Sequence, residues 1–564
     1  MAEDSTHRCH FLFLFLLSHF TFSTNPAVAR HLPPGSTRSL ATATLDVSAT
    51  RAQALQALTF SPSSHQPPSY LVPHNHSSAA AISLAFHSRD FLPSSAGHRH
   101  PDYKALTLAR LRRDAARLRS IAARAALAVS GVAASDLKPV AEEKAAPIAA
   151  ADSIEGPVVS GTSVGSGEYF SRVGVGSPAR PFYMVLDTGS DVSWLQCLPC
   201  ADCYQQTDPV FDPSASSSYA PISCDSSQCR SLDASACRSS SSTKAAVASG
   251  GEGSCLYQVS YGDGSFTVGD FATETLTFGR SDPVSGVAIG CGHDNEGLFV
   301  GAAGLLALGA GPLSFPSQIS ARSFSYCLVD RDSSSSSTLV ISAGAAQSGE
   351  APAVTAPLLR NRRLATFHYV GLTGISVGGQ MLSIPPSAFA MDESGAGGVI
   401  VDSGTAVTRL QGPTYTALRD AFRAGTASLP SASAWSLFDT CYDLSSRTSV
   451  EVPTVGFHFP SSKELRLPAK NYLVPVDDAG TYCLAFAPTS ASLSIIGNVQ
   501  QQEIHEARLV VGELGMRGWG GISPLKTGRP LFFLVVCEHM GVGLRSSPPY
   551  GGTREWIRPR RNEG

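Results

Sequence analysis

The sequence predicts an all-β protein made of two similar lobes with a cleft between them. From about residue 167, short Val/Ile/Leu/Phe/Tyr runs alternate with Gly, Pro, Ser and Asp, which is typical of strands and turns. The chain also repeats itself, because apolar-apolar-Asp-Thr-Gly-Ser at 185–190 returns as apolar-apolar-Asp-Ser-Gly-Thr at 400–405. Two similar halves that each contribute one carboxylate indicate pseudo-twofold symmetry and a site in the cleft.

Further features support the duplication. Each Asp block is followed by an apolar glycine motif, at 304–307 in the first half and at 495–497 in the second. A helix is expected to interrupt the strands at 414–424.

The N-terminus predicts a signal peptide over residues 1–29. An apolar run at 11–17 precedes Ala27-Val28-Ala29, a small-x-small cleavage site. No other apolar run approaches the roughly 20 residues that span a bilayer, so we expect no membrane anchor. This places the protein in the secretory pathway, whether in the extracellular space (apoplast), a vacuole or the endoplasmic reticulum.

Residues 30–155 are interpreted as a prosegment. They include a loosely ordered Ser/Pro/Ala/His-rich stretch with a glycosylation sequon at Asn75, then a basic amphipathic helix at 103–129. Such a helix can bind a membrane surface or a partner groove. Its region has a net charge of +5, whereas 156–502 has −10. An acidic body argues against a nucleic-acid partner, and the helix is expected to cover that body.

Thirteen cysteines indicate an oxidising environment. Cys9 leaves with the signal peptide, and eight of the remaining twelve lie within 197–291. The spacing Cys197-x-x-Cys200-x-x-Cys203 could also suggest a metal site, but no His stands at zinc-ligand spacing. Disulfides are therefore expected, with no metal and no cofactor, although the sequence alone does not give their connectivity.

The duplicated blocks nominate Asp187 and Asp402 as a carboxylate pair. As is well known for such pairs, two close carboxylates do not ionise together easily and share one proton. The glycine permits a tight turn whose N–H groups approach the carboxylate, and the neighbouring hydroxyl can fix it by a hydrogen bond. Such a pair suits general acid–base chemistry on a water. A glycosidase also uses two carboxylates, but it would not explain the duplicated blocks.

At 182–197 and 398–405 the chain resembles the first and second active-site blocks of the pepsin-like aspartic proteases. The resemblance extends from about 166 to 502 and is strongest to the plant nepenthesin-type branch, especially its guard-cell group. It implies a monomeric, acid-active endopeptidase that is made as a zymogen and cleaves polypeptides. The implied roles are a catalytic dyad of Asp187 and Asp402, interlocking hydroxyls Thr188 and Ser403, carboxylate-bonding Ser190 and Thr405, and turn glycines Gly189 and Gly404.

The resemblance also implies a flap and a disulfide framework. A hairpin with an Asp-Gly turn would place Tyr261, Gly262, Asp263 and Gly264 over the substrate, with the Tyr261 hydroxyl near the indole of Trp194. The Cys-rich stretch resembles the insertion that marks the branch. The implied pairs are Cys197–Cys200, Cys203–Cys291, Cys224–Cys255, Cys229–Cys237 and Cys441–Cys483.

The resemblance divides the body into a first lobe (156–345), a second lobe (346–502) and an atypical tail (503–564). Ala307 stands where the family often has Gly. After Gln502 the family pattern of strands and a final Cys is lost, so we expect the tail not to close the second lobe and Cys327 to lose the family's partner, which Cys537 could replace only by chance. Two alternatives stay open: a catalytically silent inhibitor or binding protein of the same fold, and an isoform inactivated by its tail.

Overall fold

The computed structural model describes most of the chain between Leu40 and Leu534. The described residues are 40–59, 81–92, 100–130, 169–238, 253–260, 266–279, 281–296, 299, 301–321, 323–342, 354–460, 463–502, 508–510 and 531–534. The predicted signal peptide, the sequon at Asn75 and the flap residues 261–264 lie outside these ranges.

The region read as a prosegment folds onto the body through two strands and two helices. These are β1 (Thr42–Asp46), α1 (Val47–Thr59), β2 (Ala81–Ser88) and α2 (Tyr103–Ser130). The helix expected at 103–129 is therefore present as α2. Strand β2 pairs antiparallel with two strands of the first half, β3 and β13, whose bounds follow. The leader thus shares a sheet with the body.

The first half of the body is almost entirely strands, as the short apolar runs predict. They are β3 (Tyr169–Val175), β4 (Arg180–Asp187), β5 (Trp194–Gln196), β6 (Ala220–Pro221), β7 (Ser235–Arg238), β8 (Ser254–Ser260), β9 (Phe266–Thr277), β10 (Val284–Glu296), β11 (Gly304–Ala307), β12 (Ser323–Tyr326) and β13 (Ser336–Ser342). Two single-turn helices, α3 (Ser227–Arg230) and α4 (Phe315–Gln318), interrupt them.

The second half repeats this texture around one longer helix, α5 (Gly412–Gly425), close to the bounds predicted for it. Its strands are β14 (Val354–Leu359), β15 (His368–Val370), β16 (Gly374–Val377), β17 (Gln380–Met381), β18 (Val399–Val401), β19 (Thr408–Gln411), β20 (Ser431–Ala432), β21 (Cys441–Asp443), β22 (Ser449–Pro453), β23 (Val455–Phe459), β24 (Lys463–Arg466), β25 (Leu473–Pro475), β26 (Thr481–Leu484), β27 (Phe486–Thr489) and β28 (Ser494–Ile496). A final turn forms α6 (Asn498–Gln501).

The duplicated sequence motifs occupy equivalent places in the two halves. Strand β4, which ends at Asp187, pairs in parallel with β11, so that Leu186 faces Leu306. Strand β18, which ends one residue before Asp402, pairs in parallel with β28. Each apolar glycine motif therefore lies beside its own Asp strand. Because these strands are buried on both faces, they consist of continuous apolar residues.

The tail contributes strands, contrary to the expectation from its sequence. Residues Arg508–Val510 form β29, which pairs with β12, and Leu531–Leu534 form β30, which pairs with β14. The two tail strands also pair with each other. A short apolar run suffices for this role, because ladder hydrogen bonds use backbone groups and do not require the family's side chains. Cys327, which was expected to lose its partner, is disulfide-bonded.

Four of the five expected disulfide pairs are wrong, and only Cys441–Cys483 forms as expected. The observed pairs in the first half are Cys197–Cys291, Cys200–Cys203, Cys224–Cys237 and Cys229–Cys255. Strand register brings Cys197 to Cys291, since the Cys197 N–H donates to the carbonyl of Gly292. For Cys224, Cys229, Cys237 and Cys255, burial decides the pairing. Cys229 and Cys255 share an apolar core, whereas Cys237 is exposed.

Within the described ranges, no helix is long and apolar enough to cross a membrane.

Candidate active site

Two buried carboxylates lie at the ends of the duplicated strands. Asp187 is 1% exposed and Asp402 is 0% exposed. Each is followed by a turn in which the glycine N–H donates back to the carboxylate, over 3.0 Å from Gly189 to Asp187 Oδ1 and 3.3 Å from Gly404 to Asp402 Oδ1. The turn replaces part of the solvation that burial removes.

The hydroxyls that follow the aspartates also hold them. Ser190 Oγ donates to Asp187 Oδ2, and Thr405 Oγ1 donates to Asp402 Oδ2 over 2.6 Å. The two halves are joined through Thr188, whose Oγ1 accepts from the Ser403 N–H at 2.9 Å and lies 3.2 Å from Ser403 Oγ. The sequence-predicted support residues are therefore gathered around one pair of carboxylates.

Two amide side chains that sequence reasoning missed support the second turn. Asn498 Nδ2 donates to the carbonyl of Ser403 over 3.0 Å, and Gln501 Nε2 donates to the carbonyl of Asp402 over 3.3 Å. Both residues belong to α6 and are buried. Their signal in the sequence was a run of polar residues directly after the apolar motif at 495–497, where a surface loop would be the ordinary interpretation.

An arginine from α2 occupies the space between the carboxylates. Arg117 is 3% exposed, and its Nη2 lies 2.6 Å from Asp187 Oδ1 and 2.9 Å from Asp402 Oδ1. Its Nη1 donates to Asp187 Oδ2 over 2.9 Å, and its Nε donates to Asp402 Oδ2 over 3.1 Å. Burial would raise the pKa of Asp402, but the Arg117 guanidinium outweighs it and holds that pKa below its ordinary value.

The turn glycines make room for this guanidinium. A Cβ on Gly189 would lie 2.1 Å from Arg117 Nη2, and a Cβ on Gly404 would lie 3.2 Å from Arg117 Cζ. The first distance is a clash, so the glycine at 189 is needed for a group to approach the carboxylates this closely.

A second buried arginine ties α2 to the body at its N-terminal end. Arg110 is 1% exposed; it pairs with Asp332 of the body at 2.8 Å and with Asp90, which precedes α2 in the same leading region, at 2.7 Å. Burial raises the pKa of Asp90, but the charges of Arg110 and Arg113 outweigh it and hold this pKa well below the ordinary range. The Tyr103 hydroxyl donates to Asp332 over 2.6 Å.

Other side chains of α2 contact the body on either side of Arg117. Leu111 packs in an apolar cluster with Val407 and Phe438 of the second half, and Ile121 packs with Phe367 and Ile400. A further arginine of the helix, Arg124, donates to the carbonyl of Gly189 over 2.9 Å. The helix thus covers the carboxylates on both sides of Arg117.

Trp194 is fully buried and packs edge-on against Phe299, with ring centroids 4.9 Å apart. The proposed hydroxyl partner Tyr261 lies outside the described residues, so this contact stays a prediction. Ala307 fits its position, being fully buried with its N–H donating to Ser193 Oγ over 2.9 Å. Over the described residues, no group of three or more His, Cys, Asp or Glu side chains is arranged to hold a metal ion.

Comparisons with known proteins identify relatives of this chain. The sequence profile described as "Xylanase inhibitor N-terminal" matches residues 169–342, and the one described as "Xylanase inhibitor C-terminal" matches 367–506. The chain is 59% identical over 349 residues to Aspartyl protease family protein 2 of Arabidopsis thaliana, covering 61% of this chain and 69% of that protein.

Two further relatives carry related names. Over 370 residues the chain is 50% identical to Protein ASPARTIC PROTEASE IN GUARD CELL 2 of Arabidopsis thaliana, covering 65% of this chain and 74% of that protein. Over 368 residues it is 39% identical to Aspartic proteinase nepenthesin-1 of Nepenthes gracilis, covering 64% and 79%. Fold and relatives together define an aspartic-type endopeptidase, a hydrolase. The chain belongs to the pepsin-like aspartic protease family, in its plant nepenthesin-type branch.

Proposed function

We propose that Asp187 and Asp402 are the catalytic dyad of an endopeptidase that hydrolyses polypeptides. Once the cleft is open, one ionised carboxylate takes a proton from a water held between the pair. The water oxygen attacks the scissile carbonyl carbon while the protonated carboxyl donates its proton to the carbonyl oxygen. The tetrahedral intermediate then collapses, the C–N bond breaks, and the amine leaves with a proton from the dyad.

We also propose that the described state is a zymogen. The observation that carries this proposal is the guanidinium of Arg117 between the two carboxylates. It fills the position a water must take and leaves neither oxygen pair free to act as base. Residues 30–155 are then a prosegment that binds the body of its own chain. The two lobes of that body are 156–345 and 346–502.

Release of the prosegment in acid follows from the sign of the pKa shifts. With α2 docked, the pKa of Asp402 lies below the ordinary value of about 3.9. The ionised Asp402 therefore stabilises docking of the prosegment at pH values above this ordinary pKa. This contribution is lost as pH falls through the lowered pKa. Asp114 of α2 has the opposite effect on docking. Burial raises its pKa despite Arg409 beside it, so its contribution favours docking as the pH falls. The ion pair of Arg117 with Asp402 therefore acts against this one group.

The protein is proposed to work as a monomer without a cofactor in the secretory pathway. Its disulfides fit a secreted or lumenal protein. The extracellular space, a vacuole and the endoplasmic reticulum all meet that requirement. A silent inhibitor of the same fold is less well supported, because both aspartates and both glycine turns are present with their hydrogen bonds.

The test is hydrolysis of an acid-denatured protein between pH 2.5 and 7 by the purified full-length chain after acid treatment. We expect pepstatin-sensitive cleavage that is fastest in acid. Asp187→Asn and Asp402→Asn should each remove turnover, by about 10⁴-fold or more as for other acid–base groups that act as a unit. Circular dichroism should show both variants folded. A folded Asn variant that keeps a substantial rate would exclude that carboxylate from catalysis.

A further inference from the structure

A carboxylate of the prosegment is bound in the cleft one helical turn from Arg117. Asp114 is 1% exposed, and its Oδ1 accepts from the N–H groups of Ala406 (2.6 Å) and Val407 (3.3 Å). Its Oδ2 accepts from the guanidinium of Arg409, which is 4% exposed. Two backbone N–H groups and an arginine thus form a complete anion site on the second lobe.

This site is built by the lobe and not by the prosegment. Ala406 and Val407 lie directly between the turn of Asp402 and strand β19, which carries Arg409. The Nε of Arg409 is buried without a hydrogen-bond partner among the described residues even while Asp114 is in place. When α2 leaves, the lobe therefore keeps a cation and two N–H donors that face the cleft.

We propose that this site is a substrate subsite that selects an acidic side chain. The inference rests on the proposed protease function and deepens it. Asp114 and Arg117 are three residues apart on a helix, about 5 Å along the axis. A peptide in extended form covers this distance in one or two residues, at roughly 3.3 Å per residue. The preferred Asp or Glu therefore stands within about two residues of the scissile bond.

The neighbouring contact defines a second requirement. Leu111, one turn further along α2, packs against Val407 and Phe438, with Trp435 at the edge of the same cluster. A substrate that follows the path of the helix therefore places an apolar side chain beyond the acidic one, on the side away from the scissile bond.

The test uses acid-activated full-length chain and pairs of fluorogenic peptides that differ only in Asp against Asn. Each of the three positions on either side of the scissile bond is varied in turn at pH 5, where a free Asp carboxylate is ionised. We expect one position at which Asp raises kcat/KM at least tenfold over Asn. Arg409→Met should abolish that ratio, while the matched change Arg466→Met, at an exposed arginine of β24, should keep it.

No position with an acidic preference, or a preference that survives Arg409→Met, overturns the subsite while leaving the protease function intact. A wild-type chain that cleaves no peptide at all overturns the protease function, and the subsite with it.

A hydrogen-exchange measurement covers the case in which Arg409→Met does not fold. In the full-length chain, Asp114→Asn should lower hydrogen-exchange protection of α2 by at least tenfold, as expected for a lost hydrogen bond to a charged group. Arg409→Lys keeps the cation but loses the planar fork, and Asp114→Asn should cost less on that background. Equal losses on both backgrounds would show that Asp114 does not act through Arg409 and would overturn the proposal.

Discussion

Replacing Arg117 by Met should unlock the proposed zymogen near neutral pH. The guanidinium makes four hydrogen bonds to two carboxylates that are at most 1% exposed. Removing one partner of a buried ion pair costs about 3–5 kcal/mol. At about 1.4 kcal/mol per factor of ten, docking of α2 should weaken by roughly 100- to 4,000-fold. We expect a loss near the lower end of this range, because the two carboxylates can share a proton once the guanidinium is gone, which reduces the cost of the unpaired charge.

The assay combines hydrogen exchange with activity on the full-length chain. At pH 7, protection of peptides from 103–130 should fall by about 100-fold or more, since exchange follows the opening equilibrium. At pH 6, the variant should cleave a fluorogenic peptide while the wild-type chain stays silent. Arg119→Met is the matched control, because Arg119 is exposed on the same helix and should change neither readout. Arg117→Lys should fall between, since it retains the charge without the fork.

If Arg117→Met keeps wild-type protection and latency, the contact at the carboxylates does not hold the prosegment. The argument from the ion pair would then be refuted, even if acid still activates the enzyme. Equal effects of Arg117→Met and Arg119→Met would point to the overall charge of the helix instead of this contact.

Two further predictions concern stability. The double change Cys197→Ser and Cys291→Ser removes a bridge between residues 94 apart in sequence and should lower the free energy of unfolding by about 4–5 kcal/mol by the chain-entropy estimate. The thermal midpoint should therefore fall further than in the double change Cys200→Ser and Cys203→Ser. Equal shifts in the two variants would contradict this prediction. Truncation after residue 502 removes β29 and β30 and leaves the edges of β12 and β14 unpaired, so the truncated chain should be secreted less and melt at a lower temperature. Unchanged yield and midpoint would show that the tail strands do not stabilise the body.

The sequence alone was sufficient for the fold class and for nominating Asp187 and Asp402, which the structure brings together with their neighbouring hydroxyls. Duplication carries this information, since two matched Asp-Gly blocks with apolar flanks specify two equivalent buried turns. Local periodicity likewise placed α2 and α5 within a few residues. These features depend on patterns that lie close together in the chain.

Other features depended on which distant residues meet. The disulfide pairs follow from strand register and from which side of a strand is buried, and neither can be read from cysteine spacing. The tail strands pair through backbone groups, so their side chains did not indicate which strands they join. Six arginines lie along α2, yet among the described contacts only Arg117 bonds to the two carboxylates. The face of α2 that docks in the cleft determines which arginine reaches the carboxylates, and this choice is a property of tertiary packing.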